Sequence, residues 1–327
     1  MLDRFECLAC ALWSCAVLTA CGDVPPLGEG PDGGDTLDAL VDWDAGPPLD
    51  AKETADASAP RCDPTAPFGE AVLVPELNSP SYDESARLTS DELTVYFSSA
   101  RPGGVGDFDV YVATRSSIDE PFGAPSIVGG LNTAGRERSP TPTDDGLHLY
   151  VSTWVDDDWG LSRATRSSVA VPFGALSVVG ELDAVAPAQE GQSYVLPDHR
   201  AVFYGSDMNG VWNLFRAPYD GMTFGAPLAI SGAQINTSAY ELFPVVTVDE
   251  LTLVFVSTRP GGEGGWDIWM ATRATTADGF GAPTNLSVLN GPAHEWPSWI
   301  STDGCVLYLT RYDPERSHEI MVTTRGS

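Results

Sequence analysis

The chain has 327 residues, of which 43% are hydrophobic and 19% charged, so there is apolar material for a substantial core. The 33 Gly and 26 Pro favour turns over long helices. Acids outnumber bases 46 to 17, a formal charge of −29 that repels phosphate backbones and argues against a nucleic-acid partner.

The N-terminus reads as an export signal. Arg4 is followed by a mostly apolar run from Cys7 to Ala20, too short to span a bilayer as a helix. The run ends Leu18-Thr19-Ala20-Cys21, which resembles the bacterial lipoprotein processing box. That resemblance implies a signal peptide over 1–20, cleavage before Cys21 and acylation of its thiol. The mature chain would then be held to a membrane by lipid, on the periplasmic or outer-membrane side of the cell envelope. Cys7, Cys10 and Cys15 would leave with the signal, and Cys62 and Cys305 remain as one pair in an oxidising compartment.

Residues 21–66 read as an acidic tether. They hold eleven Asp/Glu against Lys52 and Arg61, with seven Pro and six Gly, and show no sustained apolar period. Such a composition does not bury enough surface to offset its ordering entropy, so an extended, disordered spacer is expected.

Residues 67–327 write one unit five times. A Phe-Gly pair recurs at Phe68, Phe122, Phe173, Phe224 and Phe280, at gaps of 54, 51, 51 and 56. An Asp opening a tight turn recurs at Asp91, Asp145, Asp198, Asp249 and Asp303, at gaps of 54, 53, 51 and 54. A short β-rich run follows each Asp, as in Leu93-Thr-Val-Tyr-Phe97 and Leu251-Thr-Leu-Val-Phe255. Then comes a glycine-rich loop, fullest at Arg101-Pro-Gly-Gly-Val-Gly106, and another strand such as Asp109-Val-Tyr-Val112. Each copy thus offers four short strands: a before the Asp turn, b after it, c after the glycine loop, and d in the Phe-Gly segment. Four-stranded sheets at this period fit the blades of a wheel. The expected fold is all-β, a five-bladed β-propeller of four-stranded antiparallel blades.

The run from Val248 to Arg273, Val-Asp-Glu-Leu-Thr-Leu-Val-Phe-Val-Ser-Thr-Arg-Pro-Gly-Gly-Glu-Gly-Gly-Trp-Asp-Ile-Trp-Met-Ala-Thr-Arg, resembles the TolB-type, WD-repeat-like propeller unit. It is also similar to a wide group of exported bacterial lipoproteins built from that unit. The resemblance covers about residues 67–327 and is worn in copies two, three and five; in copies two and three Val155 and Met208 stand in place of the Arg of the serine-x-arginine step. It implies a fold and a cell-envelope setting, not one activity.

The phase of the repeats sets the closure. The chain opens with a d segment at Phe68 and ends after a c strand near Thr324, so the N-terminal strand is expected to complete the last blade. Cys62 lies just before that strand and Cys305 at the head of strand b in the blade it closes, so a disulfide clasping the ring is expected there; two buried free thiols are the alternative.

Eight residues before each turn Asp stands an acid: Asp83, Glu137, Glu190, Glu241 and Glu295. Strand a of a propeller lines the central channel, so these are expected near one mouth, where neighbouring like charges need relief. Backbone N–H groups of the adjoining blade would supply it, as would Arg87, Arg136 and Arg138, or a bound cation, for which calcium suits oxygen-only ligands. A second acidic set, Asp109, Asp267 and Glu319, is expected to cap the glycine-rich loops. Aromatic side chains precede this position at Phe108, Trp159, Trp212 and Trp266, with His318 in copy five, either as blade packing or as stacking platforms for sugars.

No nucleophile elbow, H-E-x-x-H or phosphate-binding glycine loop is present, and no catalytic residue is assigned. The expectation is a monomeric, non-enzymatic binding platform for an envelope protein, peptide or glycan. The competing expectation is a glycosidase-like hydrolase working through channel-mouth carboxylates.

Overall fold

The computed structural model describes residues 61–155, 158–182, 190–313 and 317–326. Cys21, the signal segment and the tether up to residue 60 lie outside the described residues, as does Asp183. Every regular element described is a strand, and no helix among the described residues is long and apolar enough to cross a membrane.

The strands form five four-stranded antiparallel sheets arranged as a five-bladed propeller. After β1 (Val72–Leu73), the first blade runs β2 (Asp83–Leu88), β3 (Thr94–Ser99), β4 (Asp109–Thr114) and β5 (Ser126–Ile127). The second runs β6 (Glu137–Pro142), β7 (His148–Val155), β8 (Asp158–Thr165) and β9 (Ser177–Val178). The third holds β10 (Glu190–Val195), β11 (Ala201–Ser206), β12 (Asn213–Pro218) and β13 (Leu228–Ala229). The fourth holds β14 (Glu241–Val246), β15 (Thr252–Ser257), β16 (Asp267–Thr272) and β17 (Thr284–Asn285). The fifth takes β18 (His294–Ile300), β19 (Val306–Asp313) and β20 (Ser317–Thr324), and β1 completes it.

Closure joins the two ends of the chain. Val72 pairs with Val322, Leu73 with Met321, and Phe68 bridges to Arg325. Cys62 and Cys305 are disulfide-bonded with their Cα atoms 5.7 Å apart. Arg61, next to the bond, donates to both Asp303 and Glu92 and so ties the fifth blade to the first.

Both sequence markers have a local cause. The turn Asp accepts the backbone N–H two residues on, at Leu93, Leu147, Leu251 and Cys305, and the residue between is left-handed: Glu92 (φ 60°), Gly146 (65°), Glu250 (59°) and Gly304 (71°). The Phe-Gly pair docks on the end of strand c. The Gly N–H bonds a carbonyl there, and the Phe ring lies beneath an Arg: Arg115 on Phe122, Arg166 on Phe173, Arg273 on Phe280 and Arg325 on Phe68, at 4.1–4.6 Å. The Nε of each of these arginines donates to the carbonyl of the left-handed turn residue in its own blade. In the third blade Tyr219 replaces the Arg and stacks on His199 at 4.0 Å. The Asn ten or twelve residues past the marker (Asn78, Asn132, Asn236, Asn290) pairs through its amide with the N–H and C=O of one strand-c residue. It imitates a further strand residue where the outer strand has already ended.

The innermost strands β2, β6, β10, β14 and β18 are bulged midway, with Ser85, Ser139, Gln192 and Phe243 left-handed at φ 50–58° in the first four. Arg87, 1% exposed, spans the middle of the wheel. Its guanidinium donates to the carbonyls of Ser298, Ser139 and Ser193 and to Thr141 Oγ1, so one side chain links four blades.

Candidate functional site

The connections from strand d to strand a and the loops from b to c emerge at one end of the blades, and the five repeat acids stand there at the heads of the innermost strands. They occupy equivalent strand positions, one per blade, and the four whose side chains are described are already committed. Asp83 accepts from Ser79 N and Oγ, Ser99 Oγ and Arg101, the last at 2.7 Å. Glu241 repeats this with Thr237 N and Oγ1, Ser257 Oγ and Arg259. Glu137 accepts from Thr133 N and Oγ1, and Glu295 from Gly291 N, with Arg311 Nε 3.5 Å away. Burial pushes Glu137 and Glu295 above the ordinary carboxylate range, against the pull of these hydrogen bonds. The side chain of Glu190 is outside what the structure describes. Like-charge repulsion is thus relieved by backbone N–H groups of the connection arriving from the preceding blade, by hydroxyls, and by arginines of strand b and its loop.

The arginines expected for that task are elsewhere. Arg87 lies in the middle of the wheel, Arg136 bonds Asp107, and Arg138 pairs with Glu84. Among the described residues no three His, Cys, Asp or Glu side chains gather as a metal site. Asp109 and Asp267 cap the glycine loops by accepting from Val105 and Gly106, and from Glu263 and Gly264. A methyl group at Gly104 or Gly262 would fall about 2 Å from those carboxylates, which is why the loop needs glycine there.

At this same end the aromatic positions come together. Arg138 lies over Phe108 at 4.0 Å and near Trp159 at 5.7 Å. Tyr82 meets Phe108 at 6.2 Å and His318 at 4.8 Å. His318 contacts Trp296 and Tyr312, and Tyr312 contacts His294. Trp266 packs on His294, Trp296 and Phe243, and Trp212 joins the same cluster from the third blade. The belt therefore passes through all five blades. Trp159 and Phe108 are buried, Trp212, Trp266, His294, Tyr312 and His318 are half-buried, and Tyr82 is exposed.

At its middle stands Glu84, which carries no repeat marker, between Arg138 and His318. Glu84, 2% exposed, faces Arg138 Nε at 3.3 Å and His318 Nδ1 at 2.7 Å. Burial alone would raise the Glu84 carboxyl, but Arg138 and the bond from His318 outweigh it and hold the group below its usual range. The residue after each repeat acid is Glu84, Arg138, Gly191, Leu242 and Trp296, so the copies differ where they approach one another. That divergence is the sequence signal for this site. Buried polar atoms here that make no hydrogen bond among the described residues include Trp296 Nε1, His294 Nδ1 and Gln192 Oε1.

No protein-family model matches the chain, and no curated protein matches it. Among solved structures it is similar to TolB from Acinetobacter baumannii, with a TM-score of 0.50 and 13% identity over 80% of this chain. It spans 65% of that TolB chain. It is also similar to the catalytic domain of the Coprinopsis cinerea GH62 α-L-arabinofuranosidase, with a TM-score of 0.49 and 10% identity over 80% of this chain and 98% of that one. For a thermostable family-43 glycoside hydrolase the TM-score is 0.48 and the identity 13%, over 78% of this chain and 92% of that one. At such identities the likeness is one of fold alone.

Proposed function

We propose that this chain is a lipid-anchored cell-envelope propeller, tethered through Cys21, that works without catalysis. It presents the aromatic end of its blades to a protein, peptide or glycan. The observation that carries this reading is the combination at that end: four carboxylates engaged by internal donors, beside a continuous aromatic belt with an unpartnered indole N–H. Aromatic rings offer large contact area at low entropic cost, and their polar edges give direction. A glycosidase needs one carboxyl that donates a proton and a second, ionised one across the scissile bond. Glu84, held ionised by Arg138 and His318, does not suit proton donation; Glu137 and Glu295, pushed up by burial, are the carboxyls a hydrolase would use, and their engagement by Thr133 and Gly291 weighs against that reading.

The test is in cells. A photoreactive residue at Tyr82 should cross-link an envelope component, one at the exposed Met222 should not, and Trp266→Ala should abolish the Tyr82 product. Cross-linking from Met222 alone would refute the choice of face. Hydrolysis of aryl glycosides that is lost in Glu137→Gln or Glu295→Gln would favour the hydrolase. Cys21→Ser should move the protein from the detergent phase to the aqueous phase.

A further inference from the structure

The opposite end of the blades, where strands a and b turn and strand c meets the Phe-Gly segment, holds an acid that is repeated only twice. Glu92 in the first blade and Glu250 in the fourth are the left-handed residues after the turn Asp. Both are buried and both are met by arginines across a blade junction.

At the junction of the fifth and first blades, Arg61 bridges Asp303 to Glu92, with Arg115 Nη2 3.7 Å from Glu92. At the junction of the third and fourth, Arg200 bridges Asp198 to Glu250 in the same way, and Arg273 takes the place of Arg115. Here a third arginine is added. Arg216 donates Nε and Nη2 to the two oxygens of Glu250, at 2.9 and 3.0 Å. In the strand-c register its counterpart in the fifth blade is the neutral Val322. Asp249 and Asp278, which also act on Arg273, have counterparts in Asp91 and Glu120. The third junction is therefore one positive charge richer than its fellow. Its Arg216 Nη1 makes no hydrogen bond among the described residues and its side chain is 31% exposed.

Beside Arg216 opens a cleft of about 620 Å³, lined on its polar side by Arg200, Arg273 and Glu250 and on its apolar side by Phe203, Leu228, Ile230 and Phe280. A guanidinium edge offering paired N–H donors suits a carboxylate, and apolar walls suit a hydrocarbon body. The cleft lining itself sets three arginines, Arg200, Arg216 and Arg273, against the single acid Glu250, an exception in a chain of net charge −29.

We propose that this cleft binds small amphipathic carboxylates, the carboxylate on Arg216 and the apolar body against Phe203, Leu228, Ile230 and Phe280. A medium-chain fatty acid and the C-terminus of an apolar peptide share this chemistry. The site is separate from the aromatic end and stands or falls independently of it.

The experiment is calorimetric titration of the full chain with decanoate and with N-acetyl-Leu-Leu, against decanol and the dipeptide amide as neutral counterparts. The carboxylates should bind at least tenfold more tightly than their neutral counterparts, and Arg216→Met should cost at least tenfold. Met270 stands at the same register position in the fourth blade, so methionine fits there. Leu228→Glu, at a residue 68% exposed, gives a second variant that repels the anion without touching the core. Whichever carboxylate binds more tightly names the source. Equal binding of the neutral analogues, undiminished binding in both variants, or no binding of either carboxylate overturns the proposal.

Discussion

Opening the Cys62–Cys305 bond tests how the wheel is held shut. Without the bond, closure rests on the pairing of β1 with β20 and its flanking Gly69 and Val74 N–H bonds, the bridge at Phe68, the Asn78 amide on Ile320, and Arg325, which stacks on Phe68 at 4.1 Å and donates to Gly304 O at 2.8 Å. Arg61 adds ion pairs, but it is a third exposed, and pairs of that kind contribute about 0.5 kcal/mol each. The bond spans 243 residues, and the chain-entropy relation gives about 5 kcal/mol for a loop of that length. In guanidinium titrations the Cys62→Ser/Cys305→Ser variant should lose about 3–5 kcal/mol, with a melting temperature about 10 °C lower. The loss should begin at the seam. The amides of Gly69 and Val74, bonded to Thr324 O and Ile320 O, should exchange with solvent well before those of the fourth blade. A loss under 1 kcal/mol, or undiminished protection at Gly69 and Val74, would show that the seam does not depend on the bond.

Three further outcomes follow from particular residues. Burial, with a contribution from His148, brings His199 down to about 4, whereas an unfolded histidine titrates near 6.5. The unfolded chain therefore binds more protons between these values, and stability should fall as pH drops from about 6.5 to 4, by about 1 kcal/mol after allowing for the half-exposed site. His199→Asn, suited to the left-handed backbone (φ 64°), should narrow the gap between melting temperatures at pH 7 and pH 5, and an unchanged gap would refute the assignment. Asp83→Asn removes the buried charge that faces Arg101 and should cost about 3 kcal/mol in denaturant titrations, while a neutral result would mean the repeat acids do not hold the blades. Gly262→Ala places a methyl 2.0 Å from Asp267 Oδ2 and should cost about 2 kcal/mol by thermal melting, against almost none for Gly129→Ala, where nothing lies within 4 Å.

The wheel was legible because its causes are local and repeated. The turn Asp needs only a backbone N–H two residues on, and the Phe-Gly pair only the end of its own strand c, so each leaves a mark at the repeat period. Phase alone then gives five blades and joins Phe68 to the terminal strand. What the repeat acids do was not legible in the same way: Asp83 and Glu241 look alike in any copy, and only the folded chain shows that Arg101 and Arg259 reach back eighteen residues to neutralise them. Arg87, Glu84, Arg138 and Arg216 break the repeat, and their partners lie in other blades, with sequence separations from 34 to more than 200 residues. A period records what every copy shares. Contacts between unlike copies are set by how the blades are wound around one another, and that is decided only when the ring closes.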